Sequence, residues 1–320
     1  LFMTGKEAID LGLSNIYHSF FEYRKGKKPS IDLENVQYNL EHELFVLCKD
    51  FNSGSYKHGE YRKFVIRDNK KREISVASVR DRIVHRLIYD YLTEIYDKTF
   101  IYDTWSCRKN KGLIGAIERT QIFIKKYADG FIWRADISKF FDNVDHNTLI
   151  EILKTKIIDR KTLSLLEKII RSFNTGKSKG MPIGNLTSQI FSNIYLNEFD
   201  RYIKHTLRCE TYVRYGDDFI VFSRNKKDLI RIREKAVCFL KDKLSLNMHP
   251  KNDFIITTKQ RLKFLGVQLF PNGRKLSKRN LRRLARKLHP KNVASYSGII
   301  RKHSNKKAIK KFQWMLINDL

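Results

Sequence analysis

The chain has 320 residues, which is long enough for two or three packed subdomains around a sizeable core. It carries 64 lysines and arginines against 34 acidic residues, and a chain with a formal net charge of +30 repels itself unless it neutralises a polyanion. This charge indicates a nucleic-acid partner, with an anionic membrane surface as the alternative. We expect no membrane partner, because no segment resembles a lipid-binding amphipathic helix or approaches the roughly 20 apolar residues of a membrane span.

The four cysteines, Cys48, Cys107, Cys209 and Cys238, are far apart in the sequence and form no CxxC pair. This spacing argues against a structural zinc site and against a disulfide framework. Because the first residues also lack a signal-peptide pattern, we expect a protein of the reducing cytoplasm.

The first part of the chain predicts helices interrupted by one basic hairpin. Residues 1–55, 80–100 and 114–127 have helical periodicity. Between the first two of these regions, Tyr61–Ile66 and Arg72–Val76 predict two strands joined by a basic turn. The charge on this hairpin suits either a solvated edge strand or a phosphate-binding surface.

An apolar predicted strand, Phe131–Asp136, ends on an aspartate, and strand ends are frequent positions for catalytic groups in sheet folds. Three further polar residues, Asp142, Asp145 and Asn147, come before the next predicted helix. We interpret those three as N-cap and first-turn residues of that helix. Asp136 lies too early in the sequence to cap the helix and is therefore a candidate catalytic residue.

A loop rich in glycine and proline, Gly180–Gln189, opens the predicted helix Leu186–Leu196. Gly184 permits a ligand to approach the backbone closely, and a helix N-terminus favours an anion. Such junctions are ordinary, so this pattern carries little weight by itself.

The next stretch, Thr211–Ser223, predicts a β-hairpin with two carboxylates, Asp217 and Asp218, at its tip. Adjacent aspartates repel each other unless a positive charge lies between them, and Mg²⁺ prefers carboxylate oxygen. The alternative is a solvated turn, since aspartate and glycine are common in turns. A third carboxylate, Asp136, on a strand that can lie beside this hairpin favours a metal site.

The rest of the chain predicts further strands and a strongly basic tail. The predicted elements are a helix over 227–244, a strand over 254–256 and one strand over 262–270. Residues 274–320 contain fifteen lysines and arginines and one acid, so they supply fourteen of the thirty net positive charges. Because a solvated helix face normally mixes both signs of charge, we interpret the tail as a phosphate-binding surface. Its candidate residues are Arg282, Arg283, Arg286 and Lys287, which lie off the apolar face of Leu281, Leu284 and Leu288.

Three carboxylates from neighbouring strands can hold two Mg²⁺ ions about 4 Å apart. One ion would activate an attacking hydroxyl group, and the other would stabilise the leaving pyrophosphate. The sequence therefore predicts a nucleotidyl-transfer site built on Asp136, Asp217 and Asp218, with Mn²⁺ as a substitute for Mg²⁺. The basic hairpin would then bind the triphosphate, and the basic tail would bind the duplex.

These motifs resemble those of reverse transcriptases. Tyr215-Gly-Asp-Asp218 resembles the YxDD box of the family, and the segment from Asp136 to Phe141 resembles its Asp-x-x-x-x-Phe box. Lys251 and the segment Leu262–Gly266 resemble the following motif and the primer grip. The resemblance covers about residues 55–270, in the order of the family.

The resemblance implies a role for each matching residue. Asp136, Asp217 and Asp218 would bind the metal ions with help from the backbone carbonyl of Ile137, and Lys251 would be a general acid for pyrophosphate. The implied nucleotide-binding residues are Lys63, Arg72, Phe141, Ile183, Gly184 and Gln189, with Phe141 excluding a 2′-hydroxyl. The implied primer and template contacts are Tyr215, Phe264, Leu265 and Gly266, together with the basic tail.

One departure from the common family pattern narrows the resemblance. Most such enzymes have Gln-Gly-x-x-x-Ser-Pro where this chain has Ile183-Gly-x-x-x-Ser-Gln189. That form resembles the reverse transcriptases of diversity-generating retroelements, which copy a template-repeat RNA into cDNA with errors opposite adenine. The resemblance implies a bacterial, phage or archaeal element. Its implied partners are template RNA, the RNA/DNA hybrid, deoxynucleoside triphosphates and a small basic pentameric accessory protein.

The expected fold is therefore α+β, a right-hand polymerase with fingers, a palm of antiparallel sheet and helices, and a short helical thumb. The expected domains are an N-terminal helical extension (1–55), fingers (56–130), a palm (131–270, with helices of 147–180 contributed to the fingers) and a thumb (271–320). Two alternatives are a reverse transcriptase of a phage-defence or retron-like system, and a catalytically idle RNA-binding scaffold. A group II intron protein is less expected, because little sequence follows the basic tail.

Overall fold

The computed structural model describes residues 8–67, 71–289, 292–304 and 306–319. They divide into two compact units, each assembled from separate stretches of the chain. Unit 1 comprises the described residues up to Tyr102, together with Ile137–Thr206 and Ala236–His249. Unit 2 comprises Asp103–Asp136, Leu207–Lys235 and the described residues from Pro250 onward.

Helices and strands alternate along the chain in mixed α+β order. The helices are α1 (Leu13–Arg24), α2 (Ile31–Tyr38), α3 (Leu40–Ser53), α4 (Val79–Tyr96), α5 (Leu113–Lys126), α6 (Phe140–Asn143), α7 (His146–Lys154), α8 (Arg160–Arg171), α9 (Leu186–Arg201), α10 (Lys226–Leu244), α11 (Lys278–Lys287), α12 (Val293–His303) and α13 (Lys306–Asp319). The strands are β1 (Arg62–Arg67), β2 (Lys71–Val76), β3 (Phe131–Asp136), β4 (Tyr212–Tyr215), β5 (Asp218–Ser223), β6 (Phe254–Thr257), β7 (Leu262–Phe264), β8 (Val267–Phe270) and β9 (Gly273–Leu276). Over the described residues, the helical and strand segments predicted from the sequence are confirmed, except over 262–270. Residues 1–7 of the predicted N-terminal helical region lie outside the described residues.

Polar caps fix where several of these helices begin. The side chains of Ser30, Ser78, Asp145, Asp159 and Ser277 each accept a hydrogen bond from a backbone N–H of the first helical turn. Each bond satisfies a donor that the helix itself leaves unpaired. The interpretation of Asp145 as a cap is therefore confirmed.

Unit 1 is organised around α4 and α9. Helix α4 packs against α1, α2 and α9, and α7 packs against α8 and α9. The buried face of α4 carries Ile83, Leu87 and Ile95 at the predicted helical spacing, and most side chains of α9 are buried. These two helices therefore supply much of the apolar core of unit 1.

A buried carboxylate in unit 1 joins the loop before β1 to the start of α4. Asp81 accepts hydrogen bonds from Tyr56 Oη (2.7 Å), Ser78 Oγ (2.7 Å) and the backbone N–H of Gly59 (3.1 Å). Both Asp81 and Tyr56 are 1% exposed. A buried carboxylate needs such donors, and here they anchor the segment that leads into the basic hairpin.

The basic hairpin consists of β1 and β2, which pair antiparallel from Arg62 opposite Val76 to Arg67 opposite Lys71. Every residue of β1 is exposed, and burial in β2 begins only near its end. The predicted basic turn spans 67–71, and its residues 68–70 lie outside the described residues. The two predicted strands are thus confirmed.

The main sheet of unit 2 has the strand order β4-β5-β3-β6, and all its pairs are antiparallel. Trp133 of β3 is fully buried and packs edge-on against Phe219 of β5, with ring centroids 5.1 Å apart. On the opposite face, Ile132, Ile220 and other buried residues form a core with the apolar side chains of α5. Burial on both faces fixes the strand register, because a slip by one residue would reverse every side chain.

The prediction of one strand over 262–270 is wrong. Two strands, β7 and β8, pair antiparallel and are joined by Leu265 and Gly266, and β9 pairs with β8. Both turn residues have positive φ values, 48° and 83°, as a two-residue hairpin turn of type I′ requires. Leucine is unusual at such a position, so the sequence lacked the Asn-Gly or Asp-Gly signal that marks this turn.

The apolar face predicted for the first tail helix is only partly covered by the described residues. Helix α11 ends at Lys287, so Leu288 is its C-cap residue, and Leu288 packs against the core of unit 2, whereas Leu281 is 37% exposed. The side chain of Leu284 lies outside the described residues, so the leucine face as a whole stays a prediction.

Among residues 8–67, 71–289, 292–304 and 306–319, no helix combines the length and the apolar character that a bilayer span requires.

Candidate active site

The three aspartates singled out in the sequence lie at one end of the main sheet of unit 2. Asp136 is the last residue of β3 and lies directly opposite Asp218, the first residue of β5. Asp217 precedes Asp218 in the two-residue turn between β4 and β5. The predicted hairpin and its neighbouring strand therefore bring all three carboxylates into one region.

Gly216 is what allows the turn to be this short. Its φ is +65°, and a hairpin turn of type II′ needs a positive φ at its first central residue. Tyr215 and Asp218 pair across this turn. The YGDD sequence is thus the local cause of the hairpin, and it leaves Asp217 at the tip.

The carboxylates influence one another electrostatically. The pKa of Asp218 is raised to about 6. Burial is the largest cause, Arg134 opposes it by its positive charge and hydrogen bonds, and the neighbouring charges of Asp136 and Asp217 add to the increase. Closely spaced carboxylates in a partly buried site disfavour each other's ionised form. A bound cation would relieve this repulsion.

Two residues that the sequence did not single out donate hydrogen bonds to these carboxylates. Arg134 donates from Nε to Asp218 Oδ1 (3.3 Å) and from Nη2 to Oδ2 (3.0 Å). Asn252 Nδ2 donates to Asp136 Oδ2 at 2.9 Å. The only sequence signal for Arg134 was its spacing of two from Asp136, which sets both side chains on one face of a strand. Asn252 had no signal other than its position next to Lys251.

Within the described part of the chain, no group of three or more histidine, cysteine, aspartate or glutamate side chains is arranged to hold a metal ion. The chemistry of Asp136, Asp217 and Asp218 nevertheless fits a divalent cation. Their donors are hard carboxylate oxygens, which Mg²⁺ prefers, and Asp218 lies directly opposite Asp136 and next to Asp217, so the three carboxylates are close to one another on the sheet. The side chains of Arg134 and Asn252 supply the hydrogen-bonded support that metal-binding carboxylates normally have.

The other site residues predicted in unit 2 differ in their exposure. Tyr215 is half-buried, and burial raises its pKa. Lys251 is exposed and precedes Asn252. In the predicted primer grip, Leu265 is half-buried at the turn, whereas Phe264 is 1% exposed and packs in the core of the unit. Phe264 therefore supports the turn from inside rather than presenting a side chain to the surface.

Gly266, the second residue of that turn, is hydrogen-bonded to the start of α11. Its carbonyl accepts hydrogen bonds from the backbone N–H of Ser277 (3.1 Å) and from Asn280 Nδ2 (2.9 Å). A Cβ at Gly266 would collide with this amide group of Asn280. Glycine is required there for both its φ value and its lack of a side chain.

The candidates of the basic tail lie on α11. Arg282 and Arg286 are exposed, and Arg283 is half-exposed. The side chain of Lys287 lies outside the described residues.

In unit 1, the predicted loop at Ile183 and Gly184 docks on strand β2. The carbonyl of Ile183 accepts a hydrogen bond from the N–H of Ser75 (3.1 Å), and Asn185 Nδ2 donates to the carbonyl of Ser75 (2.6 Å). Gly184 has a φ of +113°, and a Cβ there would lie 2.8 Å from Ile74 Cγ2. In the structure this glycine permits a close approach to the protein's own hairpin, and its role in nucleotide binding stays a prediction.

The same loop contacts Phe141, since the N–H of Met181 donates to the carbonyl of Phe141 at 2.7 Å. Phe141 is half-buried and packs edge-on against Phe140. The structure of unit 1 thus links Phe141, the loop at Ile183 and strand β2, which carries Arg72.

Among the remaining candidates of unit 1, three are exposed and one is buried. Arg72 lies on β2, and Gln189 lies in the first turn of α9. Lys63 lies on β1, and its Nζ is 3.1 Å from Glu73 Oε1 of β2. Ile137, which follows Asp136 in the chain, is buried and forms a β-bridge with Met248.

Paired aspartates at a hairpin tip, opposite a third aspartate on the adjacent strand, are the carboxylate arrangement that the sequence predicted for a nucleotidyl-transfer enzyme. The match to a family model is consistent with this class. The family described as "Reverse transcriptase (RNA-dependent DNA polymerase)" matches residues 57–269. The chain therefore belongs to the reverse transcriptase family, whose members are RNA-directed DNA polymerases that generally use divalent metal ions.

The individual relatives include two intron proteins and a protein of Escherichia coli. The COX1/OXI3 intron 2 protein of Saccharomyces cerevisiae is 30% identical over 190 residues, 57% of this chain and 21% of that protein. YkfC of Escherichia coli is 25% identical over 287 residues, covering 75% of each chain. The group II intron-encoded protein LtrA of Lactococcus lactis is 23% identical over 302 residues, 72% of this chain and 50% of that protein. The chain thus spans about a fifth of the Saccharomyces cerevisiae intron protein and about half of LtrA.

Solved structures support the α+β fold. A structure of telomerase from Candida albicans, in complex with a fragment of telomeric RNA, matches with a TM-score of 0.51. Sequence identity is 10%, and the match covers 69% of this chain and 46% of that chain. At this identity the likeness concerns the fold alone, which agrees with the predicted α+β class.

Proposed function

We propose that this chain copies RNA into DNA by metal-dependent nucleotidyl transfer, with Asp136, Asp217 and Asp218 as the metal-binding carboxylates. The observation that carries the proposal is the register of β3 and β5, in which Asp136 lies opposite Asp218 next to the YGDD turn, in a chain of the reverse transcriptase family. Two divalent ions bound there would supply Lewis-acid activation of the primer hydroxyl and charge stabilisation of the pyrophosphate.

The remaining residues would bind and orient the substrates. Phe141 would limit space at the sugar, and Arg72, with Lys63, would hold the triphosphate as cationic donors. This proposal is supported by backbone hydrogen bonds within unit 1. They join the loop at Ile183 to strand β2, which carries Arg72, and to Phe141. Lys251 would donate a proton to pyrophosphate, and Tyr215 would lie beneath the primer end.

The first experiment is extension of a DNA primer annealed to RNA, with Mg²⁺ and either deoxynucleotides or ribonucleotides. The proposal predicts extension with deoxynucleotides. Failure to extend any primer, with cognate RNA and accessory protein supplied, would contradict it and leave an RNA-binding scaffold as the alternative.

We further propose that the chain serves a diversity-generating retroelement and misincorporates opposite adenine, working with a small basic pentameric accessory protein. The supporting observation is the Ile183-Gly-x-x-x-Ser-Gln189 sequence in place of the Gln-Gly-x-x-x-Ser-Pro form. An apolar branched side chain stands where other members carry an amide able to hydrogen-bond near the nucleotide. Accurate cDNA would instead favour a phage-defence or retron-like enzyme.

The Ile183→Gln variant is expected to make fewer errors opposite adenine. One added hydrogen bond contributes about 0.5–1.5 kcal/mol, which corresponds to about a twofold to tenfold change in error rate. The backbone of Ile183 is already held by Ser75, so the substitution should act locally. Sequencing of the cDNA measures the errors, and Ile158→Gln, at an exposed isoleucine, is the matched control. An unchanged error rate at adenine in Ile183→Gln would remove this proposal.

Replacing Arg282, Arg283 and Arg286 together by alanine is expected to weaken the salt dependence of binding to an RNA/DNA hybrid. Each phosphate contact adds about 0.7–0.9 to the slope of log K against log salt concentration, so three lost contacts should lower the slope by about two to three. Fluorescence anisotropy at several salt concentrations measures it. A control variant removes three exposed charges of α10, Lys226, Lys227 and Arg231. An equal drop in both variants would show that net charge, and not the α11 surface, sets the slope.

A further inference from the structure

Arg134 holds the carboxylate of Asp218 from one face of the sheet of unit 2. Asp136 pairs with Asp218 across β3 and β5, and Arg134, two residues before Asp136, shares their face. Its guanidinium group donates to both oxygens of Asp218, at 3.3 Å and 3.0 Å. The side chains of Arg134 and Asp218 are only 16% and 18% exposed, so this ion pair is partly shielded from water.

Arg214 holds the same turn from the opposite face. Tyr215 pairs with Asp218, so Arg214, one residue earlier on β4, points to the other side. Its side chain is fully buried, and its Nη1 donates to the carbonyl of Gly216 at 3.0 Å. Its backbone is also fixed on the outer edge of β4, where it bonds to Asp103 and Trp105 (both 3.0 Å).

We propose that Arg134 and Arg214 are positioning residues that set the geometry of the metal-binding carboxylates. This inference rests on the proposed function. An ionised carboxylate has about four acceptor positions, so the two bonds from Arg134 orient Asp218 and leave acceptor positions for a cation. Arg214 fixes the peptide that joins Gly216 to Asp217, and it thereby fixes where the Asp217 side chain starts.

The buried position of Arg214 argues for such a specific role. A charged guanidinium group with no exposure costs free energy unless it is well bonded. An apolar residue on β4 would fill the same space without that cost, as its neighbours Tyr212 and Val213 do. The bond that Arg214 donates to the carbonyl of Gly216, in the YGDD turn, is one that an apolar side chain could not make.

Unit 2 offers a matched control for Arg134. Arg233 donates from Nε to Asp253 Oδ1 (2.8 Å) and from Nη2 to Asp253 Oδ2. This pair has the same forked chemistry and a shielded carboxylate, because Asp253 is 9% exposed. It involves none of the three metal-binding carboxylates, so its loss should cost packing but not metal geometry.

The test compares Arg134→Gln, Arg134→Lys, Arg214→Lys and Arg233→Gln with the unchanged chain. Mn²⁺ binding is measured by electron paramagnetic resonance with Mn²⁺ alone, and the ions lost in an Asp217→Ala/Asp218→Ala variant define the site. Primer extension gives kcat and KM for deoxynucleotides, and thermal unfolding monitors the fold of each variant.

Loss of a supporting contact to a metal-binding carboxylate typically costs about 10–100-fold in metal affinity or activity. We expect Arg134→Gln to lose this much in kcat and in Mn²⁺ affinity, with KM for deoxynucleotides within about twofold and a melting temperature like that of Arg233→Gln. Arg134→Lys should recover part of the loss, since lysine keeps the charge but not the fork. Arg214→Lys should retain the buried charge but lower kcat in the same way.

Two results would overturn the inference. One is Mn²⁺ binding and kcat in Arg134→Gln and Arg214→Lys that match those of Arg233→Gln. The other is a loss that appears only as a lower melting temperature. The Mn²⁺ measurement separates this inference from the proposed function. Weakened Mn²⁺ binding in Arg134→Gln supports positioning even if the unchanged chain extends no primer. The lack of primer extension would count against the proposed function alone.

Discussion

Replacing Asp217 and Asp218 together by alanine is expected to abolish primer extension. These residues and Asp136 are the only carboxylates that we assign to the metal ions, and the ions stabilise transition-state charge by several kcal/mol. At about 1.4 kcal/mol per tenfold change in rate, the loss should be on the order of a thousandfold or more. Single-turnover extension of a labelled primer measures it.

The same experiment needs a control for the removal of an aspartate as such. Asp228 lies in the first turn of α10, where its exposed carboxylate contacts only Arg231 at 3.2 Å among the contacts described. Surface ion pairs of this kind contribute little to stability, so Asp228→Ala should extend primers at the normal rate. Extension by the Asp217→Ala/Asp218→Ala variant within tenfold of this control would refute the assignment of the catalytic carboxylates.

The largest stability effect is expected for Asp81→Ala. The substitution leaves the hydroxyl of buried Tyr56 and the N–H of Gly59 without their acceptor. An unsatisfied buried group costs about 1–3 kcal/mol, and Tyr56 is buried whereas Gly59 is exposed, so unit 1 should lose about 1–3 kcal/mol of unfolding free energy. Because these bonds anchor the segment before β1, the basic hairpin should also become more accessible to protease.

Urea denaturation measures this loss of stability. Asp90→Ala is the matched control, since Asp90 lies on the same helix but at its surface, where it contacts Arg86; it should change stability by no more than about 0.5 kcal/mol. The double variant Tyr56→Phe/Asp81→Ala removes the orphaned hydroxyl and should be more stable than Asp81→Ala alone. Equal stability of Asp81→Ala and Asp90→Ala would mean that the buried network contributes nothing.

The position of the three aspartates could be predicted because each signal is local. The hairpin over Thr211–Ser223 follows from two apolar runs around a glycine turn, and Asp136 follows from an apolar strand that ends on a carboxylate. What could not be derived locally is the register, since Asp136 and Asp218 are far apart in the sequence. Pairing of β3 with β5 is fixed by burial on both faces of the sheet, around Trp133 and Phe219.

The supporting residues could not be predicted for the same physical reason. In the sequence, Arg134 and Arg214 are two among 64 lysines and arginines. Only their hydrogen bonds to Asp218 and Gly216 distinguish them from the others. Phe264 was predicted as a nucleic-acid contact from its motif, but its strand turns it into the core. The turn at Leu265 escaped detection because a leucine adopts a conformation that normally belongs to glycine or asparagine.

The most direct test of the central claim is synthesis of DNA on a defined RNA template, followed by sequencing of the product. The chain is supplied with Mg²⁺, a DNA primer, deoxynucleotides and an adenine-containing RNA, alone and together with a candidate accessory protein of the proposed kind. We expect cDNA that matches the RNA template, requires Asp217 and Asp218, and carries its errors opposite adenine. The absence of any RNA-dependent product under both conditions would rule out RNA-directed DNA synthesis by this chain.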